Sequence, residues 1–458
     1  MVRMDGIRLS ASELTEQSGD VTATTARIQA AIDAAGERGG GVVAIPPGEW
    51  TIRTIYLRSG ITLRLERGAV LRADTNLEAY PTHGRGHNKD RQPYHLIHAE
   101  NCHGITIEGD GTIDGQGPAF WHAPPEMQPY FRPKGPRISP LIELRWCRDV
   151  VLRDFVIRES PGWTIHPFCC DQVTIRGVTI DGHLYGPNND GIDINGCRDV
   201  FISDCRISGC DDNIIIKATD DARSSERIVV TNCILESNCA ALGLGAETSS
   251  GIRDVAFSNC VIKRALRMIQ IEMWESGTIE NIVFSNITGN TMTDVPLERP
   301  IYIDIQQHRR PDGCELGKIR NVLISNFSAT TRGRVMLTAQ DGAVIENVTL
   351  RDIHLRYPEI EDPQETVPPS RSSQMSNYSP HSRAVRSAVV ADNVKGLQLH
   401  NVVTTWPEDA KVPMHGLWCR NVSQSLIDAP YLGPSRTGVS AVELNGSTPT
   451  VRAVDVQK

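Results

Sequence analysis

Two short segments of this sequence carry closely spaced acidic residues. The first is NNDGIDI at residues 188–194, and the second is DDNIIIK at residues 211–217. If DGIDI and DNIII occupy matching positions on neighbouring strands, Asp190 lies beside Asp212, roughly 4.8 Å away, with Asp211 one position earlier. Carboxylates that close repel one another, so we expect at least one to keep its proton at a higher pH than an ordinary aspartate. A protonated acid beside ionised carboxylates is the set of groups that cleaves a glycosidic bond.

These acids could instead be turn residues on a solvated edge of the fold. For Asp193 both interpretations stand. For Asp190, Asp211 and Asp212 we favour a catalytic role. Two adjacent acids beside a third one destabilise the fold, and such a cost is typical of functional sites. In such a role the protonated acid donates its proton to the leaving oxygen, and a carboxylate activates water.

An internal repeat provides the strands that would place these segments side by side. Copies such as RDVFISDCRI from Arg198 and RDVAFSNCVI from Arg253 alternate apolar with polar residues, which is the periodicity of strands. Successive copies from Arg148 onward start 23, 27, 28, 27, 27, 40 and 26 residues apart. An Asn or Asp recurs at one position of seven of these eight copies, where we expect its side chain to satisfy backbone groups at a bend. Those positions are Asp154, Asp204, Asn232, Asn259, Asn286, Asn326 and Asp352.

One strand-turn-strand coil per 23–28 residues predicts an all-β, single-domain parallel β-helix, in which neighbouring coils bury each other's apolar faces. The segment TTARIQAAIDAAG at residues 24–36 predicts an N-terminal capping helix with a Thr cap and Gly36 at its end. A polar segment rich in Pro and Ser predicts a long loop, either disordered, which we favour, or a lid near a site. The predicted regions are an N-terminal cap region at 1–45, main coils at 46–355, a long polar loop at 356–390, and a terminal coil and tail at 391–458.

Three cysteines support the same architecture. Cys205, Cys233 and Cys260 are spaced 28 and 27 residues apart inside the repeat, so we expect them on one internal ladder as small buried hydrophobes rather than redox groups. We place them in line with Phe155, Val178, Ile287, Phe327 and Ile353. Twelve cysteines are too sparse for a disulfide framework, and without a CxxC pair no zinc cluster is predicted. We expect no metal and no cofactor.

Composition excludes several classes of protein. A chain of 458 residues with 40% hydrophobic and 22% charged residues is globular. A net charge of −8 argues against a nucleic-acid partner, and the lack of a run of about 18 apolar residues argues against a membrane span. Asp5, Arg8 and Glu13 interrupt any apolar leader, so we favour a cytoplasmic location and leave secretion open. The sequence does not predict the oligomeric state.

The segments GPNNDGIDINGCRDV and CDDNIIIKA resemble the bacterial branch of the polygalacturonase family of pectin-degrading glycoside hydrolases, a family 28-like pattern. WTIHPFCCDQVTIRGVTIDG and EGDGTIDGQGPAFW are similar to the same branch, and the resemblance spans about residues 18 to 355. It implies a right-handed parallel β-helix that hydrolyses its substrate with inversion. It also implies Asp211 as the general acid, with Asp190 and Asp212 holding the attacking water as base.

The chain departs from the family pattern at two motifs. The histidine of the family's Gly-His-Gly motif falls on Cys239 or Ala240, and its Arg-Ile-Lys motif matches Arg267-Met268-Ile269. The resemblance implies that Arg267 contacts a substrate carboxylate, while the second cation has been replaced by an apolar residue. We therefore expect Ile269 to suit an uncharged substituent such as the methyl group of a 6-deoxy sugar, and the preferred sugar to differ from plain galacturonate.

The missing charge has an alternative source, since Arg309 or Arg310 could supply it. Further candidate substrate contacts are His166, Lys217, Glu247, Glu272, Trp274 and Tyr302. Three of them also have a purely structural interpretation. His166 could be a structural histidine and Trp274 a core residue, and Lys217 could be a solvated cation or the ion-pair partner of an Asp. Trp274 beside acids is also typical of sugar-stacking sites.

Three functions fit these residues. We favour an inverting, exo-acting glycoside hydrolase whose partner is an acidic or deoxy-sugar oligosaccharide related to pectin. A polysaccharide lyase would share the architecture but needs a calcium ion or a cationic base at the uronate. A non-catalytic carbohydrate-binding solenoid would bind without turnover.

Overall fold

The protein, seen in a computed structural model, is described here at residues 7–9, 20–83, 91–122, 131–306, 315–366 and 381–454. Its strands pair almost entirely in parallel, coil on coil, which confirms the predicted all-β parallel β-helix. The chain forms two compact units, Met1–Ile214 with Ile228–Ser237, and Ile215–Arg227 with Asn238–Lys458. The predicted domain limits stay a prediction, and much of the polar loop, residues 367–380, lies outside the described residues. No helix within the described ranges is long and apolar enough to cross a membrane.

In the first unit, the strands form two parallel faces and one short antiparallel pair. The longer face contains Ile7–Arg8, Gly41–Ile45, Gly48–Ile52, Ile61–Leu65, Ala69–Ala73, His103–Glu108, Thr112–Asp114, Arg148–Arg153, Val156–Arg158, Asp171–Arg176, Thr179–Asp181, Arg198–Ser203, Arg206–Gly209 and Ile234–Ser237. The other face contains Ile55–Tyr56, Ile97–Glu100, Ile142–Arg145, Ile165–Phe168 and Ile192–Asn195. Trp121–His122 pairs with Arg132–Pro133, and short 3₁₀ helices span Leu77–Ala79 and Gly117–Phe120.

The second unit repeats the two parallel faces with longer strands. One face contains Ile252–Arg264, Thr278–Asn290, Lys318–Thr330, Ile345–Arg356, Val394–Lys395, Gln398–Thr405, Leu426–Ala429 and Thr450–Val454. The other contains Ala240–Thr248, Arg267–Met273, Arg299–Ile305, Val335–Ala339, Ser387–Asp392, His415–Arg420 and Val442–Asn445. The strands Ile214–Ala218 and Ser225–Thr231 have residues in both units.

The N-terminal helix spans Val21–Glu37 and is capped by Asp20. The Asp20 carboxylate accepts hydrogen bonds from Thr22 N and Ala23 N at 2.9 and 3.1 Å, so an acid and not a threonine begins the helix. The predicted start at residue 24 is therefore wrong by one turn, and Gly36 lies inside the helix. The predicted apolar face is confirmed by the buried side chains Ile28, Ala31, Ile32 and Ala35.

The recurrent Asn and Asp positions are sharp bends. All seven have left-handed backbone, with φ between 51° and 67°, a conformation that Asn and Asp tolerate best among non-glycine residues. Their side chains also bond from coil to coil in the second unit: Asn286 Nδ2 donates to Asn259 Oδ1 at 3.0 Å, and Asn326 Nδ2 to Asn286 Oδ1 at 3.1 Å. The predicted bends are confirmed, and they form an amide ladder on the surface.

The cysteine positions face the interior of the coils. Cys205 and Cys233 in the first unit, and Cys260 in the second, are each about 1% exposed and form no disulfide. Cys260 pairs in register with Ile287, and the line continues through Phe327 and Ile353. The predicted internal ladder is confirmed within each unit.

We expect these three thiols to resist a maleimide reagent in the native protein, because reaction requires access that a buried thiol lacks. Mass spectrometry after timed labelling would compare each cysteine with the same site in the urea-unfolded protein. Native labelling of all three at the rate of the unfolded chain would contradict their placement.

Candidate active site

Neighbouring coils of the first unit place Asp190 and Asp212 at equivalent positions. Gly191 N donates to Asp212 O at 2.8 Å, and Ile192 N donates to Asn213 O at 2.9 Å. These bonds give the register that the aligned sequences DGIDI and DNIII predict, with one rung, roughly 4.8 Å, between the two backbones. Asp190 is 4% and Asp212 7% exposed, so both carboxyl groups are largely shielded from water.

Asp211 lies beside them and is the more accessible acid. Its side chain is partly exposed and accepts hydrogen bonds from Asn188 Nδ2 at 3.3 Å and from Asp212 N at 3.1 Å. Ser237 Oγ donates to Asp211 O at 2.8 Å, which fixes the backbone. The three predicted catalytic acids therefore meet at one edge of the first unit.

Asn189 joins the two acidic segments. Its Oδ1 accepts from Cys210 N at 2.8 Å and from Asp211 N at 3.4 Å, and its Nδ2 donates to His183 O at 2.8 Å. Gly186 leaves room for it, since a Cβ there would lie 2.7 Å from Asn189 Nδ2. From the sequence this asparagine was only part of a motif, whereas in the structure its buried amide holds the loop that carries Asp190.

The pKa of the buried Cys210 thiol is affected by the acids at this edge. Burial raises its pKa well above the ordinary value, and the charges of Asp211 and Asp190 raise it further. Both acids therefore lie close enough to this sulfur to act on its pKa.

His166 is held entirely by protein groups. It is 0% exposed, its Nδ1 lies 2.5 Å from Glu143 Oε2, and its Nε2 lies 3.4 Å from Asn195 Nδ2. Burial lowers the pKa of His166, which favours a neutral ring that donates to Glu143 and accepts from Asn195. These contacts favour the structural interpretation, and a role for His166 towards a sugar or Asp190 stays a prediction.

A cluster of histidines, which the sequence analysis missed, continues from this pair. The rings of His83 and His98 stack at 4.4 Å and those of His95 and His98 at 5.5 Å, while Tyr56 Oη lies 2.8 Å from His83 Nε2. Burial lowers the pKa of His95 to about 4 and that of His98 to about 3. His95 and His98 lie three residues apart at the start of a strand. This short spacing was the feature of the sequence from which the histidine cluster could have been predicted.

In the second unit, Lys217 and Glu247 form a shielded ion pair. Lys217 Nζ donates to Glu247 Oε2 at 2.9 Å, and the two residues are 4% and 9% exposed. The expectation that Lys217 is a solvated cation is therefore wrong, because its strand faces a covered surface. Trp274 is also buried, and its backbone N–H, just beyond the end of a strand, donates to Ala246 O at 3.2 Å.

Arg267 lies at the centre of a second polar cluster in this unit. Its Nη1 donates to Gln270 Oε1 at 2.6 Å and lies 4.0 Å from Glu272 Oε2, while its Cζ is 5.3 Å from the centre of the Tyr302 ring. Burial raises the pKa of Glu272 and raises that of Asp304, on the next strand, to about 7. Three predicted contacts thus lie together, with Asp304 as a member that the sequence did not reveal.

Ile269 faces the interior of the coil. It is 0% exposed and pairs in register with Leu242 and Ile301, which are equally buried. The expectation that Ile269 offers an apolar surface to a bound sugar is therefore wrong, because its side chain is fully buried among apolar side chains of the neighbouring strands. Arg309 and Arg310, the suggested alternative cations, lie outside the described residues.

Clustered acids on adjacent coils of a parallel β-helix define a candidate glycosidase. Residues 43–375 match the family model "Glycosyl hydrolases family 28", and the chain belongs to that family. Over 278 residues it is 31% identical to a probable polygalacturonase of Vitis vinifera, with 56% of this chain and 55% of that protein covered. The chain spans about half the length of the first curated relatives it matches.

Two solved structures share the fold. A hyperthermoactive exopolygalacturonase from Thermotoga maritima superposes with a TM-score of 0.63 at 23% identity, covering 78% of this chain and 88% of that one. A family 28 exopolygalacturonase of Yersinia enterocolitica gives 0.70 at 17% identity, covering 88% and 75%. The likeness confirms that the β-helix is right-handed, as the sequence resemblance implied.

We expect the buried histidines to make folding sensitive to acid. Unfolded histidines bind protons below about pH 6.5, while burial keeps His95 neutral down to about pH 4, so the unfolded state takes up more protons between these values. The free energy of unfolding should fall as pH drops through this window, by up to about 3 kcal/mol for His95.

Urea unfolding between pH 7 and pH 4 measures this slope. The His95→Gln variant should lose part of the pH dependence, while His98, whose pKa is lowered to about 3, keeps contributing, and the same change at exposed His103 should leave the slope intact. Equal slopes for wild type and His95→Gln would refute the assignment.

Proposed function

We propose that the protein is an inverting glycoside hydrolase that acts on a pectin-related, acidic oligosaccharide. The observation that carries this proposal is the register that sets Asp190 and Asp212 on adjacent rungs with Asp211 beside them. The 31% identity to a probable polygalacturonase supports the substrate class. Exo action on a short oligosaccharide and a cytoplasmic location are part of the same proposal.

In this mechanism Asp211 is the general acid, because it is the acid of the three with a partly exposed side chain. The negative charges of Asp190 and Asp212 favour a proton on Asp211 before reaction. As the proton passes to the glycosidic oxygen, the hydrogen bonds from Asn188 Nδ2 and Asp212 N stabilise the carboxylate that forms.

Asp190 and Asp212 act on the other side of the bond. Together they hold a water molecule and accept its proton as the water oxygen attacks the anomeric carbon. The new C–O bond forms on the face opposite the leaving group, so the product has inverted configuration. NMR of the first product would show the anomer opposite to that of the substrate, and retention would contradict this step.

The two alternative functions give different products. A lyase would release an unsaturated sugar that absorbs in the ultraviolet, and a binding protein would retain the oligosaccharide without new reducing ends. Chromatography of the first products from a hexameric substrate separates exo action, which yields single sugars and a pentamer, from internal cleavage, which yields dimers, trimers and tetramers.

We expect Asp211→Asn to lower kcat by at least about 10²-fold while the protein stays folded, because the amide has no proton to donate to the leaving oxygen. Turnover of an acidic oligosaccharide and a thermal melt would be measured together.

Asp204→Asn is the matched control for this variant. Asp204 is a bend residue of the same unit, with φ of 58°, and asparagine occupies the equivalent bend at Asn232. The control should keep its activity. Near-normal turnover by Asp211→Asn would reject the role assigned to Asp211.

A further inference from the structure

Aromatic rings form a cluster beside the loop that carries Asp190 in the first unit. The centre of the Phe131 ring lies 4.8 Å from that of His183, and the centres of the His183 and Tyr185 rings are 6.0 Å apart. We call these three partly exposed side chains the aromatic surface. They lie between the motifs that carry the family resemblance, and the mechanism proposed above does not use them.

Trp121 anchors the aromatic surface to the coils. It is 4% exposed, its indole N–H donates to Pro161 O at 2.9 Å, and its ring stacks on that of Phe131 with centres 5.8 Å apart. Gly186 packs against the same indole, since a Cβ at this position would lie 2.7 Å from it. The aromatic surface therefore has a buried, fixed base, so little conformational freedom is lost when a ligand packs against it.

Hydrogen bonds join the aromatic surface to the proposed catalytic groups. Phe131 N donates to Tyr185 O at 2.9 Å, and Tyr185 N donates to His183 Nδ1 at 3.1 Å. Three residues after Tyr185, the side chain of Asn188 donates to the Asp211 carboxylate at 3.3 Å. One short loop thus carries two of the three rings and also contacts the proposed general acid.

The chemistry of these rings suits the apolar side of a sugar. Burial lowers the pKa of His183, so its ring is neutral near neutral pH, and the phenyl ring of Phe131 has no titratable group. One face of a galacto-configured sugar ring is a continuous patch of C–H groups, and an aromatic ring covers such a patch while its polar edge stays in water. Contact of this kind does not depend on a charged group of the sugar.

We propose that the aromatic surface binds a sugar residue of the oligosaccharide beside Asp211 and recognises it by its C–H face. Tyr185 makes the main contact, because it is the member of the aromatic surface nearest in the loop to Asn188, which contacts Asp211. The inference rests on the glycosidase function proposed above, and it adds a determinant of specificity that is independent of the charge of the sugar. Binding should therefore depend on the ring of Tyr185 and not on its hydroxyl group.

Calorimetry in an Asp211→Asn background tests this inference, because cleavage there should be at least about 10²-fold slower. The probes are trigalacturonate and the same trisaccharide with its carboxyl groups reduced. Adding Tyr185→Ala should weaken the binding of both probes by about 10-fold, the scale of one lost aromatic contact. Adding Tyr185→Phe should leave both affinities unchanged.

Saturation-transfer NMR separates direct contact from a purely structural role. In the Asp211→Asn protein the strongest transfer should reach the C–H protons on one face of a single sugar ring. Tyr185→Ala should reduce the transfer to that ring alone. A structural role would instead weaken the transfer to every ring of the probe by the same factor, and that result would overturn the inference.

Phe201→Ala is the matched control, since Phe201 is an aromatic residue of the same unit and is 57% exposed on its longer sheet face. This change should leave the affinity for both probes unaltered. If Tyr185→Ala does not fold, Tyr185→Leu keeps an apolar side chain without the aromatic ring, and the same loss of affinity for both probes is expected.

Failure of this inference can be told apart from failure of the proposed function. Hydrolysis of trigalacturonate by the wild type, with equal affinities in the folded variants, would overturn the aromatic surface and leave the hydrolase standing. Weaker binding of both probes in Tyr185→Ala, with no hydrolysis of either by the wild type, would support the aromatic surface and reject the hydrolase. A loss confined to the acidic probe, or no binding of either probe in the Asp211→Asn background, would also overturn the inference.

Discussion

The hydrogen-bonded register between successive coils is the constraint on which the candidate site depends. Backbone N–H groups of one coil donate to carbonyl groups of the next, as in the bond from Gly191 N to Asp212 O. A slip of one residue would turn every side chain of that strand to the opposite face, so it would disturb the packing of the buried Ile214, Ile215 and Ile216 and move Asp212 out of line with Asp190. Burial of the isoleucines thus fixes where the carboxylates lie, and the chemistry depends on the packing of residues that take no part in it.

Features that follow the repeat could be predicted from the sequence. The period places equivalent residues on neighbouring rungs, which is why alignment alone put Asp190 beside Asp212 and placed Cys260 in line with Ile287 and Phe327. The bends could be predicted for the same reason, because Asn and Asp tolerate the left-handed backbone that each turn needs. Equivalent residues of successive copies therefore lie at equivalent positions on successive coils.

Features that depend on which way a strand faces could not be predicted. The sequence shows that Arg267 and Ile269 lie two residues apart, but at the start of this strand their side chains do not share a face: Ile269 packs with Leu242, while Arg267 bonds Gln270. The helix start was missed because Asp20 precedes the apolar pattern by a full turn.

The amide ladder at the bends has a consequence for how this fold can change. The copies that begin at Glu280 and Arg320 are 40 residues apart, against 27 for the preceding pair, yet Asn326 donates to Asn286 at 3.1 Å and Asn321 to Asn281 at 3.2 Å. The longer connection is accommodated without loss of the ladder, because each coil is anchored at its bends before the connection leaves it. A coil can therefore take up an insertion in its connection, and with it new surface side chains, while the stacking that aligns its neighbours stays unchanged.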